Sequence, residues 1–315
     1  MNTEKENFLS NIFVRVKNFR QLEAVLPYPQ TDTVIMDFAF SRAEAEEWKK
    51  NSGEKKICLQ LPKVLREKRK DSVRRIAETA LILDGVVLCN FDELGLWKEI
   101  VSRQQSAQPL VIGDAFLYTY NIEALLFYRN FFPDMKFLLP DELTDKETED
   151  LIEKAEQKNG FSGEEFIYKI YGYQELMITA QCLQKNYFGC RKENLGRPKA
   201  GGSAGELKTD KPVKVRENLL AFSDEKKNSF FAAAECSNCY NIIYNGQPTV
   251  MLDKTKKSEE GFLIDRTNYQ NILFDFTIET PEEIHRILEG FFEEKSPETY
   301  LPEKLTRGHH YKGVQ

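Results

Sequence analysis

What this chain lacks narrows it first. No run of about eighteen apolar residues occurs, so no membrane-spanning helix is expected. The opening MNTEKENFLSN is polar and has no apolar centre of a secretory signal, which makes a cytoplasmic location the expectation. Low-complexity repeats are absent. Histidine is scarce, with only His285, His309 and His310, and neither a G-x-S-x-G elbow nor an H-E-x-x-H helix is present. Two common hydrolase constellations therefore have no basis here. Positive charge is in deficit, with 44 Lys and Arg against 50 Asp and Glu and a net charge of −6. That balance opposes broad attraction to nucleic acid while permitting a local basic face. Six cysteines without a secretory signal do not suggest a disulfide framework, because cytosolic thiols are held reduced.

What is present is a repeated pattern. Short β-branched runs, each followed by a helical stretch, occur at IFVRV (12–16), TVIMDF (33–38), KICLQL (56–61), GVVLC (85–89), LVIGD (110–114), KFLLP (136–140) and IYKIYG (167–172). Their spacing of roughly 25 residues suits a βα unit. Helices are expected over 41–50, 71–80, 91–102 and 144–158. The strands are continuous apolar runs, as in a parallel sheet covered on both faces. Seven such units fit a doubly wound sheet or a barrel short of one unit.

The missing unit lies downstream. NILFDFT (271–277) is another buried-strand run, followed by a helix with a Thr280 cap, Pro281 in its first turn and Glu283 three residues after the cap. The expected fold class is thus α/β, a (β/α)8 TIM-like barrel with a cysteine-rich insertion between strands 7 and 8. The expected organisation is barrel units one to seven over 1–180, the insertion over 181–262, and the eighth unit with a C-terminal arm over 263–315. In a barrel, that insertion emerges at the carboxyl end of the strands, where barrel chemistry is built.

Composition changes in the insertion. Between Lys185 and Arg216 there are nine Lys or Arg against three acids, and the middle, GRPKAGGSAGELKTDKP, reads as a mobile Gly-rich loop. ENLLAF and SFFAAAE flank SDEKKN as a β-hairpin leading to Cys236. Cys236 and Cys239 form a C-x2-C pair, a spacing that lets two thiolates reach one centre from a tight turn. Cys182 and Cys190 supply two more candidate ligands. Cys58 and Cys89 fall inside expected strands and read as small core residues. Spacing leaves zinc and an iron–sulfur cluster open for the other four, since it matches neither a standard zinc ribbon nor a ferredoxin run.

The stretches YGYQELMITAQCLQKNYFGC, ECSNCYNIIYNGQPTVMLD, LFDFTIETPEEI and TRGHHYKGV, in this order, resemble the collagenase-like peptidase family known as U-thirty-two. LQLPKVLR, CNFDELGLWKE, GDAFLYTYN and LPDELT are similar to that family's barrel loops, so the resemblance covers most of the chain. It implies a barrel whose four cysteines, here Cys182, Cys190, Cys236 and Cys239, hold an iron–sulfur cluster, with the four-iron type favoured over zinc. It also implies oxygen-independent hydroxylation, of RNA bases or of a quinone precursor, in place of the peptide hydrolysis that the family name records. Smaller members carry His-Gly where this chain has Tyr171-Gly172. The chain is more similar to the second barrel of two-barrel members, which implies a missing first barrel or a partner barrel subunit.

Further candidates follow from position. Arg307 in the closing motif is suited to clamping a carboxylate or phosphate, and His309 and His310 lie beside it. Asp37, Asn90, Asp114, Asn121, Glu142 and Thr277 fall at or after strand ends and should surround the barrel mouth, with capping the competing role, above all for Asp114 and Asn121. Glu142 is a candidate proton acceptor. Tyr118 and Tyr120 are placed to stack on a planar ring or to pack. LREKRKDSVRR (65–75) reads as a solvated face, or as a phosphate-binding patch acting with the basic insertion on RNA.

Overall fold

A computed structural model of the protein describes residues 11–38, 40–64, 70–103, 109–190, 212–216, 218–236, 239–250, 257–258, 261–262 and 269–306. Strands β1 (Asn11–Val16), β2 (Thr33–Met36), β3 (Lys56–Gln60), β4 (Gly85–Leu88), β5 (Leu110–Gly113), β6 (Lys136–Leu138) and β7 (Phe166–Thr179) alternate with helices. These are α1 (Phe19–Val25), α2 (Arg42–Asn51), α3 (Lys70–Ala80), α4 (Phe91–Ser102), α5 (Ile122–Arg129) and α6 (Asp145–Asn159). Within the intervening chain lie α7 (Leu183–Phe188), β8 (Val213–Arg216), β9 (Leu219–Ser223), β10 (Ser229–Glu235) and β11 (Tyr240–Val250), then the two-residue strands β12 (Lys257–Ser258) and β13 (Gly261–Phe262). The eighth barrel unit is β14 (Asn271–Asp275) with α8 (Pro281–Phe292), followed by α9 (Pro297–Tyr300). β14 pairs in parallel with both β1 and β7, which closes an eight-stranded parallel barrel.

The local chemistry explains where the helices start. Asn18, Ser41, Asn90, Asn121, Thr144 and Thr280 each sit in extended backbone and accept an N–H of the first turn with their side chains. At Ser41, Thr144 and Thr280 the glutamate three residues on returns the bond, completing a capping box.

Strand alternation fills the barrel in layers. Phe13, Ile35, Cys58, Val87, Ile112, Leu138, Ile167 and Leu273, one from each strand, form a single buried apolar cluster. Two residues toward the carboxyl ends, the same faces carry Arg15, Gln60, Lys169 and Asp275. Two residues toward the amino ends they carry Asn11, Thr33, Lys56, Lys136 and Asn271. The barrel is therefore apolar at its waist and polar at both ends.

The chain divides into two compact units, the first formed by 1–172, 250–303 and 307–315 and the second by 173–249 and 304–306. The division falls at Gly172, earlier than the expected 180/181, because β7 does not stop there. Its outer part, Tyr173–Thr179 in sequence, lies next to β11 in a sheet ordered β7-β11-β10-β9-β8. The β9–β10 hairpin forms where expected, with Asp224 accepting the backbone N–H groups of Lys226 and Asn228 across its turn. Leu220, Ala232 and Ile243 make the small core of this unit, and Leu183, Phe222 and Phe230 pack against it.

Candidate functional site

The mouth of the barrel is built from charges that the strands carry inside. Arg15 of β1 is 3% exposed, donates from Nη2 to Asp114 Oδ2 at 2.6 Å and reaches Asp275 Oδ2 of β14 at 3.4 Å. Burial opposes its charge, but Asp275 and Asp114 outweigh that and raise its pKa further. Asp114 is both things the sequence allowed: Oδ1 accepts the N–H of Phe116 as a cap while Oδ2 holds Arg15. Lys169 of β7 bonds Asp141 just past β6, and although burial opposes its charge, Asp141 and Asp275 raise its pKa. Lys17 bonds Asp37, and the Lys63 ammonium lies 4.6 Å from the centre of the Phe116 ring.

Two buried carboxyls behave differently. Glu93 Oε2 accepts the Cys89 N–H at 2.6 Å, yet burial pushes its pKa up to about 8. Glu279 accepts the Thr277 N–H at 2.6 Å and bonds the Tyr171 side chain, and burial pushes it up to about 7. Such groups exchange protons near neutral pH.

Several buried polar atoms at this end have no partner among the described residues. They are both amide atoms of Gln60, Arg15 Nε, Asn90 Nδ2, Thr119 Oγ1, Asp275 Oδ1 and Thr277 Oγ1. Leaving a buried polar atom unpaired costs about 1–3 kcal/mol, so a cluster of them marks a place that takes up water or the polar atoms of a ligand.

Of the other expected mouth residues, Asn90 and Asn121 cap α4 and α5. Glu142 receives a hydrogen bond from Tyr120, whose phenol is pushed up by burial and then by Glu142. Tyr118 and Tyr120 stack at 6.0 Å between centroids, and Tyr118 is 61% exposed. His285, the one histidine among the described residues, bonds Tyr28 through Nδ1 at 2.9 Å and is a packing residue of α8. Arg74, within the stretch read as a solvated face, is paired with Glu99. Arg307, His309 and His310 lie outside the described residues, as do 191–211 of the basic segment between Lys185 and Arg216.

Position after a strand end was too coarse a guide. Arg15, Gln60, Lys169 and Asp275 escaped it because they sit inside the strands, in IFVRV, KICLQL, IYKIYG and NILFDFT. The available signal was a charge or amide within an otherwise apolar run. Cys89 is buried at 2% exposure, as expected of a small core residue, but lies one residue past β4, at the level of the polar layer, with Sγ 3.6 Å from the Leu61 carbonyl.

The second unit holds the four candidate ligands. Cys182 caps α7, its Sγ accepting the Lys185 N–H at 3.3 Å. Cys190 follows α7 after Gly189, whose φ of +86° turns the chain. Cys236 and Cys239 flank the β10–β11 turn; Cys239 adopts φ +56° and its Sγ lies 3.8 Å from the Cys236 carbonyl. Asn241 Nδ2 donates to the Gln181 carbonyl at 3.0 Å, tying the chain just before Cys182 to the strand just after Cys239. No disulfide involves any of the four. Four thiols are the donor chemistry of a zinc or iron–sulfur site. The geometry is not closed, because no group of three or more His, Cys, Asp or Glu among the described residues is arranged to hold a metal ion.

No helix among the described residues is long and apolar enough to cross a membrane. In comparisons with known proteins, no protein-family model matches the chain and no curated protein matches it.

Proposed function

We propose that this protein is a barrel enzyme working at the carboxyl ends of its strands, and that Cys182, Cys190, Cys236 and Cys239 hold a metal centre. The observation that carries the first part is the mouth layer, where the Arg15, Asp114 and Asp275 cluster sits with the Gln60 amide, which has no partner among the described residues. A fold does not need such a layer for stability, since replacing buried ion pairs by apolar side chains is often neutral or stabilising. Barrel enzymes do place their chemistry at this end. The second part rests on the thiol donor set and on the Asn241–Gln181 tether, which joins two of the cysteine-bearing segments.

Iron–sulfur is preferred over zinc on the resemblance to the peptidase U-thirty-two family alone. The same resemblance supplies the reaction class, oxygen transfer to an RNA base or another planar substrate. Within this reading Arg15, Asp114 and Gln60 orient the substrate, and Glu93, Glu279 or Glu142 moves a proton. Arg307 and His309 are proposed catalytic contributors on the closing motif only. The basic segment between Lys185 and Arg216 would grip RNA phosphates in a reducing cytoplasm, with affinity that falls as salt rises. A partner barrel subunit would complete the unit.

Anaerobic purification tests this directly. A brown protein with iron and sulfide, losing both when Cys236 and Cys239 become serine, supports the proposal. A colourless protein with one zinc points to a structural site. Specific peptide cleavage that survives replacement of all four cysteines would return the assignment to a collagenase-like peptidase.

A further inference from the structure

The barrel's other end carries a second polar layer that the proposed reaction does not use. At the amino ends of the strands lies a cleft of about 670 Å³ within the first unit. Its apolar lining is Phe13, Leu26, Pro29 and Leu110, and Lys55, Lys56, Lys136 and Thr31 are among its polar groups. Lys56 of β3 and Lys136 of β6 occupy positions two residues before Cys58 and Leu138 of the apolar waist, so strand alternation turns both toward the barrel axis.

None of these cations forms an ion pair among the described residues. Lys136 gives one bond to the Glu164 carbonyl, and burial lowers its pKa, opposed by the Glu164 and Glu165 charges, with the Lys56 charge adding to the lowering. Lys55 is likewise lowered by burial, with Asp32 opposing. Asp32, Glu54 and Glu164 also line the cleft, but no ion pair joins any of them to the three ammonium groups. Asp32 Oδ2 is instead occupied by the Ile12 N–H at 2.7 Å. Thr31, 1% exposed, has a hydroxyl with no partner among the described residues, and Asn11 Nδ2 donates to Asn271 Oδ1 at 2.9 Å. Three lysines without an ion pair among the described residues, a buried hydroxyl and an apolar lining thus face one cleft, with Asp32, Glu54 and Glu164 at its walls.

We propose that this cleft binds a small phosphorylated molecule, its phosphate between Lys56 and Lys136 and its apolar or planar part against Phe13 and Leu110. Lysine is a point-charge partner for phosphate, and the volume falls in the range of small-ligand pockets, well beyond what a bare ion fills. The site is separate from the mouth and stands whether or not the proposed reaction does.

Titration of the full chain with inorganic phosphate and with phenyl phosphate, at constant ionic strength set with sodium chloride, tests it by calorimetry and amide chemical shifts. Saturable binding is expected, tighter for phenyl phosphate, with shifts at Lys55, Lys56, Thr31 and Lys136. Lys56→Gln and Lys136→Met should each weaken it at least about tenfold, on the scale of one lost charge-assisted bond. Lys56 is exposed, so its variant serves should Lys136→Met fail to fold. Absence of saturable binding, shifts located elsewhere, or affinity unchanged in Lys56→Gln would overturn the proposal.

Discussion

Arg15 is the residue on which the mouth depends, because two carboxylates are buried against one guanidinium. Arg15→Met strands Asp114 and Asp275 in a site that hardly sees water. A loss of about 3–5 kcal/mol in urea unfolding is expected, of the size seen when one member of a buried pair is removed. Adding Asp114→Asn to that variant should recover part of the loss; strict additivity would show that the two side chains are not coupled. Glu93 makes a prediction in pH. Its native pKa of about 8 lies above the ordinary 4.5, so the folded state keeps a proton that the unfolded chain releases. The contribution to stability is fully present below about 4.5 and is lost as pH rises through about 8. Glu93→Gln should flatten that decline, and parallel pH profiles for parent and variant would contradict the assignment. For Glu279 the same sign holds, with the decline complete once pH has passed about 7.

At the scale of elements, α8 offers two clean tests. Thr280→Ala removes the side-chain half of the capping box and should cost about 1 kcal/mol in urea unfolding. Gly290→Ala should cost more, since a Cβ there would stand 2.2 Å from Tyr300 Cγ, and α9 must move away or α8 must bend. A thermal melt in which Thr280→Ala is the more damaging would reverse that ranking. Gly172 illustrates close approach in a strand, where a Cβ would meet the Asp275 carbonyl at 2.8 Å beside the register shift between β7 and β14. The helices were legible because their caps are local: the expected span of α4 is the observed one, and Thr280 with Glu283 announced α8. The outer part of β7 was not legible. YQELMIT has no continuous apolar run, and it is a strand because β11 supplies its hydrogen-bond partners.

For the whole molecule, the test is whether the cysteine-bearing segments respond to metal as one. If the four thiols share a centre, chelation should raise amide exchange over 182–190 and 239–250 and leave the barrel strands β1 to β6 unchanged. Equal exchange with and without chelator would separate the cysteines from any common ion. The open geometry of the described residues makes this the decisive measurement.

Periodicity and composition in the sequence were enough to establish eight βα units, the insertion after the seventh, the hairpin leading to Cys236 and most helix starts. These features are written in neighbours a few residues apart. Tertiary structure alone decided that Arg15 of β1, Asp275 of β14 and Asp114 just past β5 would meet at one end of the barrel, and that Lys56 and Lys136 would line one cleft at the opposite end. Closure of the sheet through β14 juxtaposes residues about 260 positions apart, a distance over which no local spacing rule carries information. A charge in an apolar strand announces that something must compensate it; only the closed barrel says what.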